Sequence, residues 1–401
     1  MQVHQAYRYE LDPNAAQRVL LAKHAGVARF AYNWGLQKRI ELFETNEGKD
    51  RFTTAIAQHR VLNALKASAF PWMYEVSKCA PQEALRDLER AFRNFWRGRQ
   101  AGRNVGFPRF KKKGVSDSFR LTGSIQVQSQ AVQLPRLGKL RTKEATEKFS
   151  GRVLSATVSR EADRWYVSLA VETERPDPVP VQGEAVGVDV GIDAFATLSD
   201  STKIASPNPL HKALKRLRRA SKQHSRKTRG SNNRKKSACR LARLHRRVKN
   251  IRRDFLHKTS TTLAKTKSVI VVEDLHVKGM LQNKHLARHI ADAGWGDFRR
   301  MLAYKTVWYG STLVVAPRFY ASSKTCSSCG HLMSELPLQI RSWSCPACSA
   351  HHDRDINAAM NLQRFSTGSS PGIDACGDCS GGECGQPRSS YQSLKQEAMS
   401  R

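Results

Sequence analysis

Between Ser201 and Arg253 the sequence contains no acidic residue, although lysine and arginine recur throughout that stretch. Acids are scarce across the whole 401-residue chain, with 34 Asp and Glu against 68 Lys and Arg and a formal charge of +34. Such an excess opposes compaction by self-repulsion, and a polyanionic partner is the simplest compensation. Also missing is any uninterrupted apolar run of the ~18 to 20 residues a membrane-spanning helix needs. The opening Met1-Gln2-Val3-His4-Gln5-Ala6-Tyr7 lacks the apolar core of a signal peptide, and no amphipathic anchor stands out. The expected partner is therefore nucleic acid and not a membrane, and the expected setting is soluble and intracellular. Hydrophobic residues still make up 40% of the chain, enough for real cores, and the length suggests two or three domains. Of nine cysteines, Cys326, Cys329, Cys345 and Cys348 form two paired Cys-x-x-Cys units, which in a reducing compartment point to metal over disulfides.

From Leu11 to about Gln100 the pattern is helical. Asp12-Pro13-Asn14 opens a first helix with Pro13 at or near its first turn. Leu20, Leu21, Val27, Ala28, Tyr32 and Trp34 form its apolar stripe. A second helix follows Pro81, with Leu85, Leu88, Phe92 and Phe95 on one face and Arg86, Arg90, Arg93 and Arg97 on the other. The aromatics read as core packing and the arginines as nucleic-acid contacts. Between Val105 and Glu172 the period becomes two, as in Ile125-Gln126-Val127-Gln128 and Trp165 to Val171, which implies a small antiparallel β domain. Pro176, Pro178 and Pro180 form a stiff linker. The acid-free stretch reads as two long basic helices joined at Ser231-Asn232-Asn233; either it is a solvated face or, as its length favours, it contacts phosphates. After Gln363 the composition turns to Ser, Gly and Gln, the mark of a disordered tail.

The sharpest local signal is Cys326-Ser327-Ser328-Cys329 followed, fifteen residues on, by Cys345-Pro346-Ala347-Cys348. Two such knuckles give zinc its four soft ligands, and a site filled by four thiolates is structural, with no open position for catalysis. A redox role would need only one pair. His351 and His352 are near enough to substitute as ligands. Three apolar segments carry acids that are costly to bury unless paired or metal-bound. They are Ala185-Val186-Gly187-Val188-Asp189-Val190-Gly191 with Phe195 to Leu198 as its hairpin partner, Ser268 to Val272 ending in Glu273-Asp274, and His352-Asp353-Arg354-Asp355 before a helix from Ile356. Acids from two strands and a helix start can converge in an RNase H-like sheet, where two divalent ions, Mg²⁺ or Mn²⁺, support phosphodiester hydrolysis. Spacing leaves open Glu273 or Asp274, which point to opposite faces if the strand continues, and Asp355 or Asp353, one of which can cap the helix. Asp193 and Asp200 read as turn or surface residues.

Gly187 to Ile192, Val271-Val272-Glu273-Asp274-Leu275, the Cys326 to Cys348 ribbon and His352 to Ala359 together resemble the signatures of the TnpB/OrfB family, transposon-encoded relatives of type V CRISPR effectors. Ala28 to Trp34 and Gly106 to Lys111 are similar to that family too, so the resemblance spans most of residues 1–365. It implies a multidomain α/β protein that acts as an RNA-guided DNA endonuclease. Residues 1–180 would form a β wedge domain (mainly 1–10 and 105–180) carrying a helical recognition insert at about 11–104. Residues 181–321 and 351–365 would form an RNase H-like (RuvC) nuclease domain interrupted by a zinc ribbon at 322–350, with a tail at 366–401. It implies Asp189, Glu273 and Asp355 as the catalytic, metal-binding triad, Mg²⁺ or Mn²⁺ as catalytic ions and structural zinc on Cys326, Cys329, Cys345 and Cys348. It further implies a guide RNA made from the transposon end, a double-stranded DNA target beside a short motif, one monomer per guide RNA and a prokaryotic cytoplasm. A catalytically inactive RNA-guided repressor and a DNA transposase are the competing readings. Cys376, Cys379 and Cys384 depart from the pattern and lack a clear fourth ligand.

Overall fold

A computed structural model describes residues 1–45, 54–147, 150–337 and 339–366, which form two compact units. The first unit holds residues 1–182, 206–266 and 277–311; the second holds 183–205, 267–276 and the described chain from 312 onward. The expected tail with Cys376, Cys379 and Cys384 lies outside the described residues. No helix among the described residues is long and apolar enough to cross a membrane.

The first unit begins with β1 (Gln2–Leu11), α1 (Ala15–Thr45), α2 (Ala55–Leu65) and α3 (Cys79–Gln100). Short strands follow: β2 (Ser118–Leu121), β3 (Gln126–Gln128), β4 (Ala131–Leu134) and β5 (Gly138–Arg141), then the long β6 (Arg152–Glu161) and β7 (Arg164–Glu174). In β7 the side chains of Trp165, Val167, Leu169 and Val171 alternate into the core, as the period of two requires. An antiparallel sheet of order β1-β7-β6-β2 and a three-stranded β3-β4-β5 sheet result. Asn14 caps α1: the Gln17 amide donates to Asn14 Oδ1 at 2.8 Å and the Asn14 amide donates to Gln17 Oε1 at 3.1 Å. Pro13 therefore stands one residue before the cap and not inside the first turn. On α3, Leu85, Leu88 and Phe92 are buried, Phe95 packs edge-on to Phe107, and Arg86 and Arg90 pair with Glu83 and Asp87 on the same helix.

Between the second unit's strands β8 (Val186–Asp189), β9 (Ala194–Leu198) and β10 (Lys203–Ala205) and its strand β11 (Val269–Glu273), the chain contributes two basic helices to the first unit. These are α4 (Pro209–Ser225) and α5 (Asn232–Thr266). Ser231 Oγ accepts from the Arg234 amide at 3.1 Å and so caps α5, which starts at Asn232 within the expected joint. Several α5 cations are already neutralised: Arg243 pairs with Asp163 at 2.7 Å, Lys249 with Glu161 at 2.9 Å and Arg252 with Asp292 at 3.1 Å. The stretch is thus neither a bare solvated face nor wholly free for phosphates. After β11 come α6 (Val277–Met280), α7 (Ala287–Ala293) and α8 (Trp295–Tyr309), then β12 (Thr312–Ala316), β13 (Ser342–Ser344), β14 (His351–Asp353) and α9 (Arg354–Ser366).

The second unit is built on a five-stranded sheet of order β10-β9-β8-β11-β12. Strands β8, β11 and β12 run parallel, β9 runs antiparallel to β8, and β10 turns back antiparallel to β9. Phe195 to Leu198 is the hairpin partner of the Asp189 strand, as expected. Helix α9 packs on β8 through a glycine contact: a Cβ on Gly187 would lie 1.9 Å from the Ala359 carbonyl oxygen. Only glycine allows that approach, so the first motif's glycine sets the depth at which the helix carrying Asp355 sits.

Candidate active site and metal centre

Parallel register brings the acids together. Val188 pairs with Val272, so Asp189 and Glu273 end neighbouring strands at the same edge of the sheet. Such strands lie about 4.8 Å apart. Asp355 joins them from the first turn of α9. Burial first, and then the charges of Glu273 and Asp355, push the Asp189 carboxyl up to about 8; Arg354 and Arg341 offset this in part. The three carboxylates lie near enough for Glu273 and Asp355 to act on Asp189; their oxygens are the hard donors that Mg²⁺ or Mn²⁺ takes, and a cation among them would relieve part of the repulsion that raises Asp189.

The acids of the two open pairs have different partners. Asp274 is engaged by Arg318, whose Nη2 donates to its Oδ2 at 2.8 Å, leaving Glu273 to accept from Ser322 Oγ at 2.5 Å. Asp353 caps α9: its Oδ1 accepts from the amides of Asp355 and Ile356 at 3.0 and 3.1 Å, and its Oδ2 accepts from Lys203 at 2.7 Å. Against the cost of burial, Lys203 and those amides hold Asp353 below the usual carboxylate range. Asp193 is largely exposed but not idle, because Arg341 bridges it at 2.7 Å to Asp355 at 3.4 Å.

The four cysteines form a second centre. Their sulfur atoms all lie within 4.8 Å of one another, with Cys326 to Cys348 at 3.7 Å and Cys329 to Cys345 at 3.6 Å. Tetrahedral zinc with bonds of about 2.3 Å needs sulfur separations of roughly 3.8 Å, so the donor set fits the ion. Each knuckle closes on a left-handed residue just after its second cysteine, Gly330 at φ 80° and Ser349 at φ 59°. His352 stands beside the four sulfurs: its Nε2 lies 3.0 Å from Cys326 Sγ and its ring packs on Trp343. Against burial, the Cys329 and Ser328 amides and His352 hold the Cys326 thiol down at about 5, in the thiolate form that metals bind.

Two asparagines tie the centres together. Asn357 Oδ1 accepts from the Ser327 amide at 2.8 Å, and its Nδ2 donates to the Thr325 carbonyl at 2.7 Å. One turn later, Asn361 Nδ2 donates to the carbonyls of Ser322 and Thr325 at 2.8 and 2.6 Å. Both side chains are buried on α9. Their i, i+4 spacing on an otherwise apolar helix face was a readable signal, whereas nothing local marked Ser322 or Arg341. Asn357→Ala leaves the buried Ser327 amide without a partner, while the Thr325 carbonyl keeps Asn361, and should cost about 1–3 kcal/mol. A thermal melt checks this; an unchanged midpoint would show that the tie is not structural.

Comparison with known proteins gives matches over most of the chain. Residues 168–284 match the family model described as "Probable transposase", and residues 295–362 match the one described as "Cas12f1-like, TNB domain". Residues 1–49 match a "Helix-turn-helix domain" model, although residues 2–45 here form one strand and one 31-residue helix. Two bacterial relatives carry the name "Putative RNA-guided DNA endonuclease". One, from Streptomyces pristinaespiralis, is 36% identical over 99% of this chain and 96% of its own length. The other, InsQ of Escherichia coli K12, is 34% identical over 89% of this chain and 91% of its own length. In fold the chain is similar to the Cas12f1 protein of a cryo-EM complex with sgRNA and target DNA, at a TM-score of 0.53 and 14% identity over 90% of this chain and 99% of that one. With relatives of this identity along nearly its whole length, the chain belongs to the TnpB family.

Proposed function

We propose that the protein is an RNA-guided DNA endonuclease that cuts its target by two-metal phosphodiester hydrolysis at Asp189, Glu273 and Asp355. The observation that carries this is the meeting of three carboxylates at one edge of a five-stranded sheet, in a chain whose near-full-length relatives bear that name. The strand order, with an antiparallel β8-β9-β10 meander on one side and parallel β11 and β12 on the other, supports an RNase H-like (RuvC) assignment of the second unit.

On this reading Asp189 and Glu273 hold Mg²⁺ or Mn²⁺ from the strands and Asp355 closes the set from α9. When bound, the ions activate water and stabilise the leaving oxygen. The Ser322 hydroxyl fixes the Glu273 carboxylate, and Asp353 holds the first turn of α9 so that Asp355 faces the strands. Cys326, Cys329, Cys345 and Cys348 hold a structural zinc that shapes the segment preceding α9. Residues 1–180 act as a wedge with a helical recognition insert. The guide is an RNA from the transposon end, the target is double-stranded DNA, and one chain serves one guide in a prokaryotic cytoplasm. The chain's formal charge of +34 supplies the field that holds two polyanions.

The test is to purify the chain from cells carrying its flanking DNA, sequence the RNA that remains bound, and assay a matched DNA duplex with Mg²⁺. Co-purified RNA and cutting only of the matched duplex are expected. A preparation free of RNA that joins or cuts transposon ends would replace this reading with a transposase. Guided binding without cutting would leave a repressor.

A further inference from the structure

Strand β12 ends at Ala316, and the chain then runs through Pro317, Arg318, Phe319 and Tyr320 to Ser322. Because β8, β11 and β12 are parallel, this turn leaves the sheet at the edge where Asp189 and Glu273 end their strands. Ligands of open α/β sheets lie at that carboxyl edge. At the tip of the turn Phe319 is 94% exposed, more than any other large hydrophobic residue among the described ones.

The turn is held on both sides of the ring. Arg318 is bonded to Asp274 at 2.8 Å, and the Tyr320 amide closes the turn on the Pro317 carbonyl at 3.0 Å. The Tyr320 hydroxyl donates to the Asn361 carbonyl at 3.0 Å, and its ring packs 5.3 Å from that of Phe365. Ser322, three residues beyond Phe319, touches Glu273 at 2.5 Å. Three residues span at most about 11 Å, so the ring stands within a few nucleotides' reach of the carboxylates.

We infer that Phe319 is a stacking platform for an unpaired base of the DNA strand held at the carboxylate site. The inference rests on the nuclease reading above and adds a base subsite to it. A phenylalanine ring offers about 150–250 Å², far short of the ~800 Å² per side of a stable protein interface. It matches the face of one base instead. Stacking on an aromatic ring is tolerant of sequence, which suits an enzyme whose target is chosen by a guide. It also requires that the strand be unpaired where it is cut.

The experiment uses the full chain with its guide RNA and a matched target carrying 2-aminopurine beside the cut site. Phe319→Leu keeps an apolar side chain but removes the aromatic face; Phe319→Trp keeps the face. Under single-turnover conditions Phe319→Leu should cut about 5- to 150-fold more slowly, the range of one lost stack. Guided target binding and the melting temperature should stay at wild-type values, and Phe319→Trp should restore the rate. In an Asp189→Asn background, which holds the uncut strand, 2-aminopurine fluorescence should be quenched with Phe319 present and recover with Phe319→Leu. Wild-type cutting and unaltered quenching in Phe319→Leu, in a preparation that Asp189→Asn silences, would overturn the inference and leave the nuclease reading standing. A changed oligomeric state with unaltered quenching would overturn it too, by making the ring a protein contact. Full cutting by Asp189→Asn would instead remove the nuclease reading and the inference with it.

Discussion

Replacing Asp189 by Asn lowers target cleavage by on the order of 10³-fold or more and raises the melting temperature in buffer free of divalent ions. The two effects have one cause. Asp189 sits at the end of an apolar strand beside Glu273 and Asp355, and burial and like charge both disfavour its ionised form. An amide of the same shape keeps the packing, drops the repulsion and loses the anionic oxygen that a divalent ion needs. A residue that merely supported the fold would lower stability when replaced, so the opposite signs separate a functional carboxylate from a structural one. Single-turnover cleavage and paired thermal melts read both. Cleavage within tenfold of wild type would remove Asp189 from the active site, and a lower melting temperature would mean that its carboxylate is held by partners.

Cys345→Ser should strip the ribbon of its metal, taking bound zinc from about one ion per chain to near none, and should abolish cleavage although no cysteine lies among the carboxylates. Structural zinc in small modules is worth roughly 10–16 kcal/mol of apparent binding energy, which is folding energy for the segment that holds it. Here that segment is tied to α9: the backbone of Ser322, Thr325 and Ser327 is bonded to Asn357 and Asn361. Loss of the knuckles frees those partners, and with them the seat of Ser322 against Glu273 and of Asp355 at the helix start. Atomic absorption gives the zinc content, and protease digestion locates the loosened region. A variant that keeps a full complement of zinc and normal cleavage would rule out the four-sulfur site.

The four-cysteine cluster was legible in the sequence because a Cys-x-x-Cys knuckle is a local object: four residues fold one turn, and spacing carries the geometry. The Asp189 strand and its hairpin were legible for the same reason, since alternation and a short turn act between neighbours. Spacing alone could not choose Glu273 over Asp274 or Asp355 over Asp353. What distinguishes their surroundings is set by Arg318 on Asp274 and Lys203 on Asp353, partners 44 and 150 residues away. Arg341, which bridges Asp193 and Asp355, belongs to the same class. The basic stretch shows the limit from the other side. Its charge was countable, but Arg243 and Lys249 meet Asp163 and Glu161 from 80 and 88 residues away, so counting overstated the cations left for a polyanion.

The order of the acids along the chain has a consequence for synthesis. Two of them lie on strands made before the ribbon, while Asp355 rides on α9, the last described element, seated against Gly187 through a backbone contact. A chain that ends between β12 and the ribbon's last cysteine has the sheet edge and two carboxylates but no third. Truncated products are therefore without a complete acidic cluster, and the cluster closes only after nearly every residue that could bind a nucleic acid has been made.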